Sequence, residues 1–368
     1  MDIQSKRLTS IDALRGFDML LIAGGGSFIF RMLNDSGWEW AQAVVKQMEH
    51  VTWNGFVFWD FIFPLFLFIS GVSLVFSLNK ALETGVKKSE IYKKVFKRSL
   101  ILIILGIVYK NAPLNIWDPE HIRFVSVLGR IGIALFVTTL LYLNFSWQKR
   151  LIWVGGILVA YYAALFLIPV PGYGAGDLSF EGNLVGWFDR TFMPGRLTQG
   201  TYDELAILTQ FSALCITVLG AWAGDILRNS DTKQMVKIKW MVIIGISAIV
   251  LGILWGLHFH INKRLWSSSF ILLTSGMAFL MLSLFYWIID IKGYKKWSFF
   301  FVVIGMNSLL VYYAYRFINF SLTSKLLFSG FYDILPDKWH PTLEAAGALT
   351  LVWLLMYFLY KKKVFFKV

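Results

Sequence analysis

Apolar stretches of about 20 residues recur along nearly the whole chain of 368 residues. Each is long enough, as a helix, to cross roughly 30 Å of hydrocarbon. Only 15% of residues are charged and 57% are hydrophobic, with a mean hydropathy of +0.62. A soluble domain of this size carries far more charge. The pattern therefore predicts an all-α, polytopic transmembrane helix bundle forming a single domain over 1–368. We read ten spans, at about 12–33, 56–79, 99–111, 124–143, 151–168, 206–226, 240–258, 270–289, 298–320 and 345–360. No internal repeat is visible, which weighs against transporters built from inverted repeats.

The net charge of +13 would suit nucleic acid if it were clustered on one soluble face. Instead it alternates between successive connections. The N-terminus, the 80–98 segment, Lys149-Arg150, the 228–239 segment, the 292–296 segment and the C-terminus together hold 22 basic residues, and the intervening connections hold nine. Basic residues collect on the cytoplasmic side. Both termini are thus expected in the cytoplasm, and nucleic acid is not an expected partner. The 80–98 segment, with seven basic residues, reads as an amphipathic stretch on anionic lipid, or as a contact for an anionic cofactor. The first apolar run is interrupted by Asp12, Arg15 and Asp18 and reads as a retained helix rather than a cleaved signal. Cys215, the single cysteine, excludes an internal disulfide and a cysteine metal cluster.

Charges inside spans are costly and mark paths or sites. Arg15 and Asp18 lie three residues apart in the first span, Asp60 opens the second ahead of Pro64, Arg130 lies in the fourth, and Asn307 and Arg316 lie in the ninth. A pairing of Asp60 with Arg15 or Arg130 would be purely structural. Gly24-Gly25-Gly26 permits close backbone approach, to a ligand or to another helix. His50, in Glu49-His50-Val51-Thr52-Trp53-Asn54-Gly55, falls on the outer side by the charge pattern, and imidazole is the side chain suited to proton chemistry near neutral pH. His258 and His260 would face apart on a helix, which argues against zinc, and no metal site is expected. The following Asn262, Lys263, Trp266 and serines form a stretch suited to a sugar or phosphate. The Gly- and Pro-rich 169–205 connection has the composition of a cover over an external substrate or of a mobile connection.

Five segments in order resemble one family. They are Arg7-Leu8-Thr9-Ser10-Ile11-Asp12-Ala13-Leu14-Arg15-Gly16, His50 to Gly55 with Asp60 to Gly71, Ile122 to Ile131, Asn262 to Ser269, and Gly305-Met306-Asn307-Ser308-Leu309-Leu310-Val311-Tyr312. Together they are similar to the heparan-α-glucosaminide N-acetyltransferase family and its bacterial relatives. There are departures: the family often carries Asn where this chain reads Ala23 before the glycines, and Gln where it reads Gly129.

The resemblance implies an acyltransferase that passes acetyl from cytosolic acetyl-CoA to the amine of a glucosamine-type sugar across the membrane. It assigns the active histidine to His50. His50 would act as base, or accept the acetyl group itself, with Asp60 orienting it. Arg15, Gly25, Arg130, Asn307 and Arg316 are the candidate contacts to acetyl-CoA, with Asn307 and the 24–26 backbone as oxyanion donors. Trp53, Asn54, Asn262, Lys263 and Trp266 are the candidate acceptor contacts. The expected setting is a bacterial inner membrane with His50 facing the periplasm, membrane lipid around the bundle, and a homodimer. A sugar or lipid-linked-sugar transporter or flippase, or an O-acyltransferase of envelope glycans, would use a similar set of residues.

Overall fold

A computed structural model describes residues 8–332 and 334–366. Lys6, Arg7 and Lys367, used above in the charge count and in the first motif, lie outside the described residues. The described chain is helical and contains no strand, only two isolated bridges. In order, the helices are α1 Thr9–Leu20, α2 Gly26–Ser36, α3 Glu39–Lys46, α4 Phe58–Glu83, α5 Lys88–Asn111, α6 Val127–Asn144, α7 Trp147–Leu167 and α8 Leu184–Phe192. There follow α9 Ile207–Arg228, α10 Gln234–Gly256, α11 Ser268–Phe285, α12 Phe299–Gly305, α13 Ser308–Phe317, α14 Phe320–Tyr332 and α15 His340–Lys361.

The protein is a polytopic membrane helix bundle. Among the described residues, eight helical segments are long and apolar enough to cross a bilayer, and α12 with α13 makes a ninth if that pair, bent by 73°, is one span. The third expected span, 99–111, is the second half of the longer helix α5. Of the basic residues assigned to a connection, Lys88, Lys93, Lys94, Lys97 and Arg98 form its first turns and Lys80 belongs to the end of α4, because Lys, Glu and Arg are good helix formers and Gly85, at φ 78°, ends the preceding helix. Those charges keep α5 out of the set above. The 169–205 connection is also more ordered than its composition suggests. It contains α8, capped by the Asn183 side chain, which accepts the Gly186 N–H at 2.7 Å. α14, between the ninth and tenth expected spans, was not expected at all.

The contacts divide the chain into two compact units. The first comprises residues 8–51, 57–62 and 282–366. Here α1 and α12 touch backbone to backbone. A methyl group on Gly16 would fall 1.8 Å from the Phe301 carbonyl oxygen, and one on Gly305 would fall 2.1 Å from that of Asp12. Small residues allow such approach where lipid offers no hydrophobic drive. Asp290 accepts from the Thr9 and Ser10 N–H groups at 3.2 and 3.1 Å, placing a carboxylate on the positive end of α1. α1 and α2 are separated by a break at Ala23 and Gly24, whose φ of 93° is the left-handed region that glycine tolerates.

The second unit comprises residues 52–56 and 63–281. α4 crosses α9 closely, since methyl groups on Gly71 and Gly220 would each lie 2.0 Å from a carbonyl oxygen of the opposing helix. Arg150, Tyr142 and Asn79 gather on Asp225: Arg150 and Tyr142 donate to it at 2.6 and 2.7 Å, and Asn79 donates to the Tyr142 oxygen at 2.7 Å. The network satisfies the Asp225 carboxylate where α4, α6, α7 and α9 meet.

Candidate active site

His50 and Asp60 are brought together in the first unit. The turn between them closes when the Gln47 carbonyl accepts the Trp59 N–H at 2.9 Å and its side-chain Oε1 accepts the Phe58 N–H at 3.1 Å. Asp60 sits in the first turn of α4, and its Oδ2 accepts the Val57 N–H at 3.4 Å, the acidic half of a capping box. Its Oδ1 lies 2.7 Å from His50 Nδ1. Asp60 is 1% exposed, whereas the His50 side chain is 39% exposed. A buried carboxylate holding the Nδ1 proton fixes the ring's orientation and leaves Nε2 as the basic nitrogen.

The helix break lies in the same unit. A methyl on Gly26 would fall 2.0 Å from the Trp59 ring, and one on Gly24 would fall 1.7 Å from Tyr315 Oη. Tyr315 Oη is buried without a hydrogen-bond partner. A methyl on Gly25 would meet the Leu20 carbonyl oxygen at 2.7 Å, so this glycine's contact is with its own preceding turn. A cavity of about 320 Å³ is lined by Gly26, Ser27, Phe30, Arg31, Met48 and Trp59. Met48 and Trp59 stand two residues before His50 and one before Asp60, so the cavity borders the turn that carries the pair.

The other candidates in this unit are placed differently. Arg15 is 3.6 Å from Asp12 on its own helix. Asn307 stands at the bend between α12 and α13, where its side chain holds the C-terminal segment. It donates to the Val364 carbonyl at 3.0 Å and accepts the Phe366 N–H at 2.9 Å. One amide N–H and the amide oxygen are thus engaged by the chain itself. Arg316 is exposed in the last turn of α13.

The remaining candidates gather in the second unit. Asn262 Nδ2 donates to Asn54 Oδ1 at 3.1 Å, and Gly55 N–H donates to the Ile261 carbonyl at 2.9 Å. Trp53 donates to the Leu178 carbonyl at 3.0 Å and packs on Phe180 and Tyr202. Trp266, at φ 50° and 1% exposed, has the Arg130 guanidinium 4.4 Å from its ring. Arg130 Nη2 donates to the Glu204 carbonyl at 2.8 Å and to Thr209 Oγ1. Its Nε and Nη1, with Trp266 Nε1, are buried without partners. Lys263 is half-buried, beside an Arg264–Glu204 ion pair at 3.1 Å.

Sequence reasoning missed the clasp beside this cluster. Arg123 donates twice to Asp203, at 2.7 Å each, with both side chains buried. Burial alone would raise the Asp203 carboxyl, but the hydrogen bonds and charge of Arg123 outweigh it and hold the group below its usual range. Asp189 accepts the Asp203 N–H at 3.0 Å and is pushed up to about 7, chiefly by burial. Both acids were visible in the sequence as members of the long connection. Nothing there paired Asp203 with Arg123, 80 residues away. Trp59, Arg31 and Tyr315 were missed as well, although Arg31 is a charge inside an apolar run and could have been found on that ground. Among the described residues, no three His, Cys, Asp or Glu side chains gather as a metal site.

With this geometry in place, comparison with known proteins becomes informative. Residues 7–245 match the family described as heparan-alpha-glucosaminide N-acetyltransferase, catalytic. The chain belongs to this family. The human heparan-alpha-glucosaminide N-acetyltransferase is 29% identical over 432 residues, covering 98% of this chain and 60% of the relative. The mouse protein of the same name is 29% identical over 434 residues, covering 99% and 61%. The chain therefore spans about three-fifths of the length of the curated relatives it matches. Within this N-acetyltransferase family match lie His50, Asp60, Arg130 and the 24–26 glycines. Asn262, Trp266, Asn307 and Arg316 lie beyond residue 245, in the part aligned only with the whole relatives.

Proposed function

We propose that the protein is a transmembrane N-acetyltransferase that moves acetyl from acetyl-CoA to the amine of a glucosamine-type sugar. The observation that carries the reading is the bond between His50 Nδ1 and buried Asp60, which prepares a basic Nε2 on a partly exposed ring. Family membership supports the acetyl-transfer chemistry, and the relatives' glucosaminide N-acetyltransferase activity, as named, suggests the amino-sugar class.

The neutral amine attacks the thioester carbonyl, and His50 Nε2 takes the proton that the amine loses as the C–N bond forms. The tetrahedral intermediate then expels the CoA sulfur, which takes that proton back from the imidazolium. Amide and free thiol result, and the histidine returns to its starting state. Asp60 stays ionised and stabilises the transient imidazolium. A positioned base of this kind typically supplies 10²–10⁴-fold. Tyr315 Oη and the backbone at the Gly24 break are the polar groups of the same unit proposed to face the developing oxyanion.

The cytoplasmic excess of basic residues supports delivery of the anionic donor from inside, with His50 and the acceptor outside. Arg130, with two buried guanidinium nitrogens lacking partners beside Trp266, is the second unit's candidate for a polar contact to substrate. Incubating the purified protein with labelled acetyl-CoA and a panel of amino sugars, then weighing the products, tests the reading. An N-acetyl amide is expected. An ester product would assign O-acylation instead, and sugar uptake into vesicles without CoA would assign transport.

A further inference from the structure

A second cavity, of about 370 Å³, lies within the second unit and is bounded by α7, α9, α10 and α11. Of its fifteen lining residues only Ser247 carries a polar group outside an aromatic ring. Its origin is legible in the packing. α10 is seated tightly on α11, where a methyl on Gly252 would fall 2.7 Å from the Leu273 nitrogen and one on Gly245 would fall 3.0 Å from the Gly276 carbonyl oxygen. Toward α7 the contact opens, and a methyl on Gly155 would meet nothing within 4 Å. The floor includes buried Val154, Leu158 and Phe279. All four helices are long and apolar enough to cross a bilayer, which puts the groove along segments suited to hydrocarbon.

Its two ends differ. The α10 wall runs from Ile243 to Trp255, a rise of about 18 Å along the helix, close to the roughly 15 Å of one leaflet. One helical turn before Ile243 and Ile244 on the same faces come Lys239 and Trp240, and one turn before Leu151 comes Trp147. Trp147 stacks on the groove residue Trp222, with centroids 5.9 Å apart and planes at 6°. Trp147, Trp240 and Lys239 are exposed, as are Lys149 and Lys233, against the exposed acids Asp231 and Glu83, of which Glu83 is engaged by Arg228. Asp225, a further acid at this end, is engaged by Arg150 at 2.6 Å. Tryptophan and lysine at a span's end mark headgroup level.

We propose that this groove is a binding site for one acyl chain of an anionic phospholipid, with the headgroup phosphate at Lys239. A neutral sugar or peptide would have to shed its hydration to enter a slot of this composition, and an unbranched chain would not. The basic rim selects the anionic lipid over a zwitterionic one.

Native mass spectrometry of the full chain, released from nanodiscs of equal phosphatidylglycerol and phosphatidylcholine, tests this. The wild-type protein is expected to retain one phosphatidylglycerol. Ser247→Trp, which fills the groove, should lower retention at least tenfold, while Leu254→Trp, an exposed α10 position outside the lining, should leave it unchanged. Lys239→Gln should reduce the preference for phosphatidylglycerol about fivefold, the effect of one lysine at an anionic surface. The proposal is overturned by retention that ignores Ser247→Trp, by equal retention of both lipids, or by no retained lipid. A dimer that Ser247→Trp dissociates would equally overturn it, assigning the groove to a second copy of the chain.

Discussion

Replacing Asp60 by Asn isolates what the buried carboxylate does for His50. The two side chains are nearly equal in volume, and Asn keeps an oxygen able to accept the Val57 N–H that Asp60 now accepts at 3.4 Å. Helix capping should therefore survive, with a stability change below about 1 kcal/mol. At Nδ1 the exchange is severe. The 2.7 Å contact persists only if the Asn amide donates to Nδ1, which drives the ring proton to Nε2, the nitrogen required as base. Asp60 is 1% exposed, so bulk water cannot substitute for the lost acceptor. The loss should approach the full contribution of the base, about 10²–10⁴-fold in kcat, or roughly 3–5 kcal/mol of transition-state stabilisation. Single-turnover acetylation of glucosamine from labelled acetyl-CoA would measure it, alongside a thermal midpoint to verify folding. A well-folded variant within threefold of wild type would refute the assignment of Asp60 as the residue that sets the His50 tautomer.

Other expectations follow from the same geometry. Arg123→Ala leaves Asp203 charged and buried without its main partner, and should cost about 3–5 kcal/mol in thermal or denaturant unfolding. A loss below 1 kcal/mol would show the pair to be unimportant. Asp189, raised from 3.8 to about 7, binds an extra proton in the folded state across that window. Stability contributed there is present at low pH and falls as pH rises from about 4 to about 7, by at most about 4 kcal/mol. Asp189→Asn should remove that slope, so its midpoint advantage over wild type should grow between pH 5 and pH 8; a constant difference would contradict the assignment. Gly24→Ala places a side chain at φ 93° and against Tyr315 Oη, and should destabilise by at least about 1–2 kcal/mol, part of it recovered in a Tyr315→Phe background. An unchanged unfolding midpoint for Gly24→Ala would show that the break is not rigid.

The fold class was legible because the hydrocarbon thickness of a bilayer imposes a length that composition alone reveals. Interruptions of the spans were less so. The glycine run announced the break at Gly24, but the bend at Asn307 has no proline or glycine run to mark it, and the charged half of α5 reads as a connection until helix propensity is weighed. At the candidate site, His50 and Asp60 were both identifiable as costly groups near the membrane surface. Their contact was expected from the family resemblance but not derivable from the residues, because ten residues spanning a turn give no fixed geometry; the Gln47 hydrogen bonds that close the turn involve a side chain of no distinctive type. Asn307 was identifiable as a polar residue in a span, but its bonds to the backbone of Val364 and Phe366 were not, because only tertiary structure brings those residues to it. Arg123 and Asp203 illustrate the same limit, as 80 residues separate two partners that only the fold brings together.

The most direct measurement compares wild-type protein with His50→Ala in CoA-dependent N-acetylation of glucosamine, with CoA binding followed in parallel by calorimetry. The account predicts unchanged CoA affinity and a fall in turnover of at least a hundredfold for the variant. Turnover near the wild-type rate, with the same N-acetyl product, would contradict it.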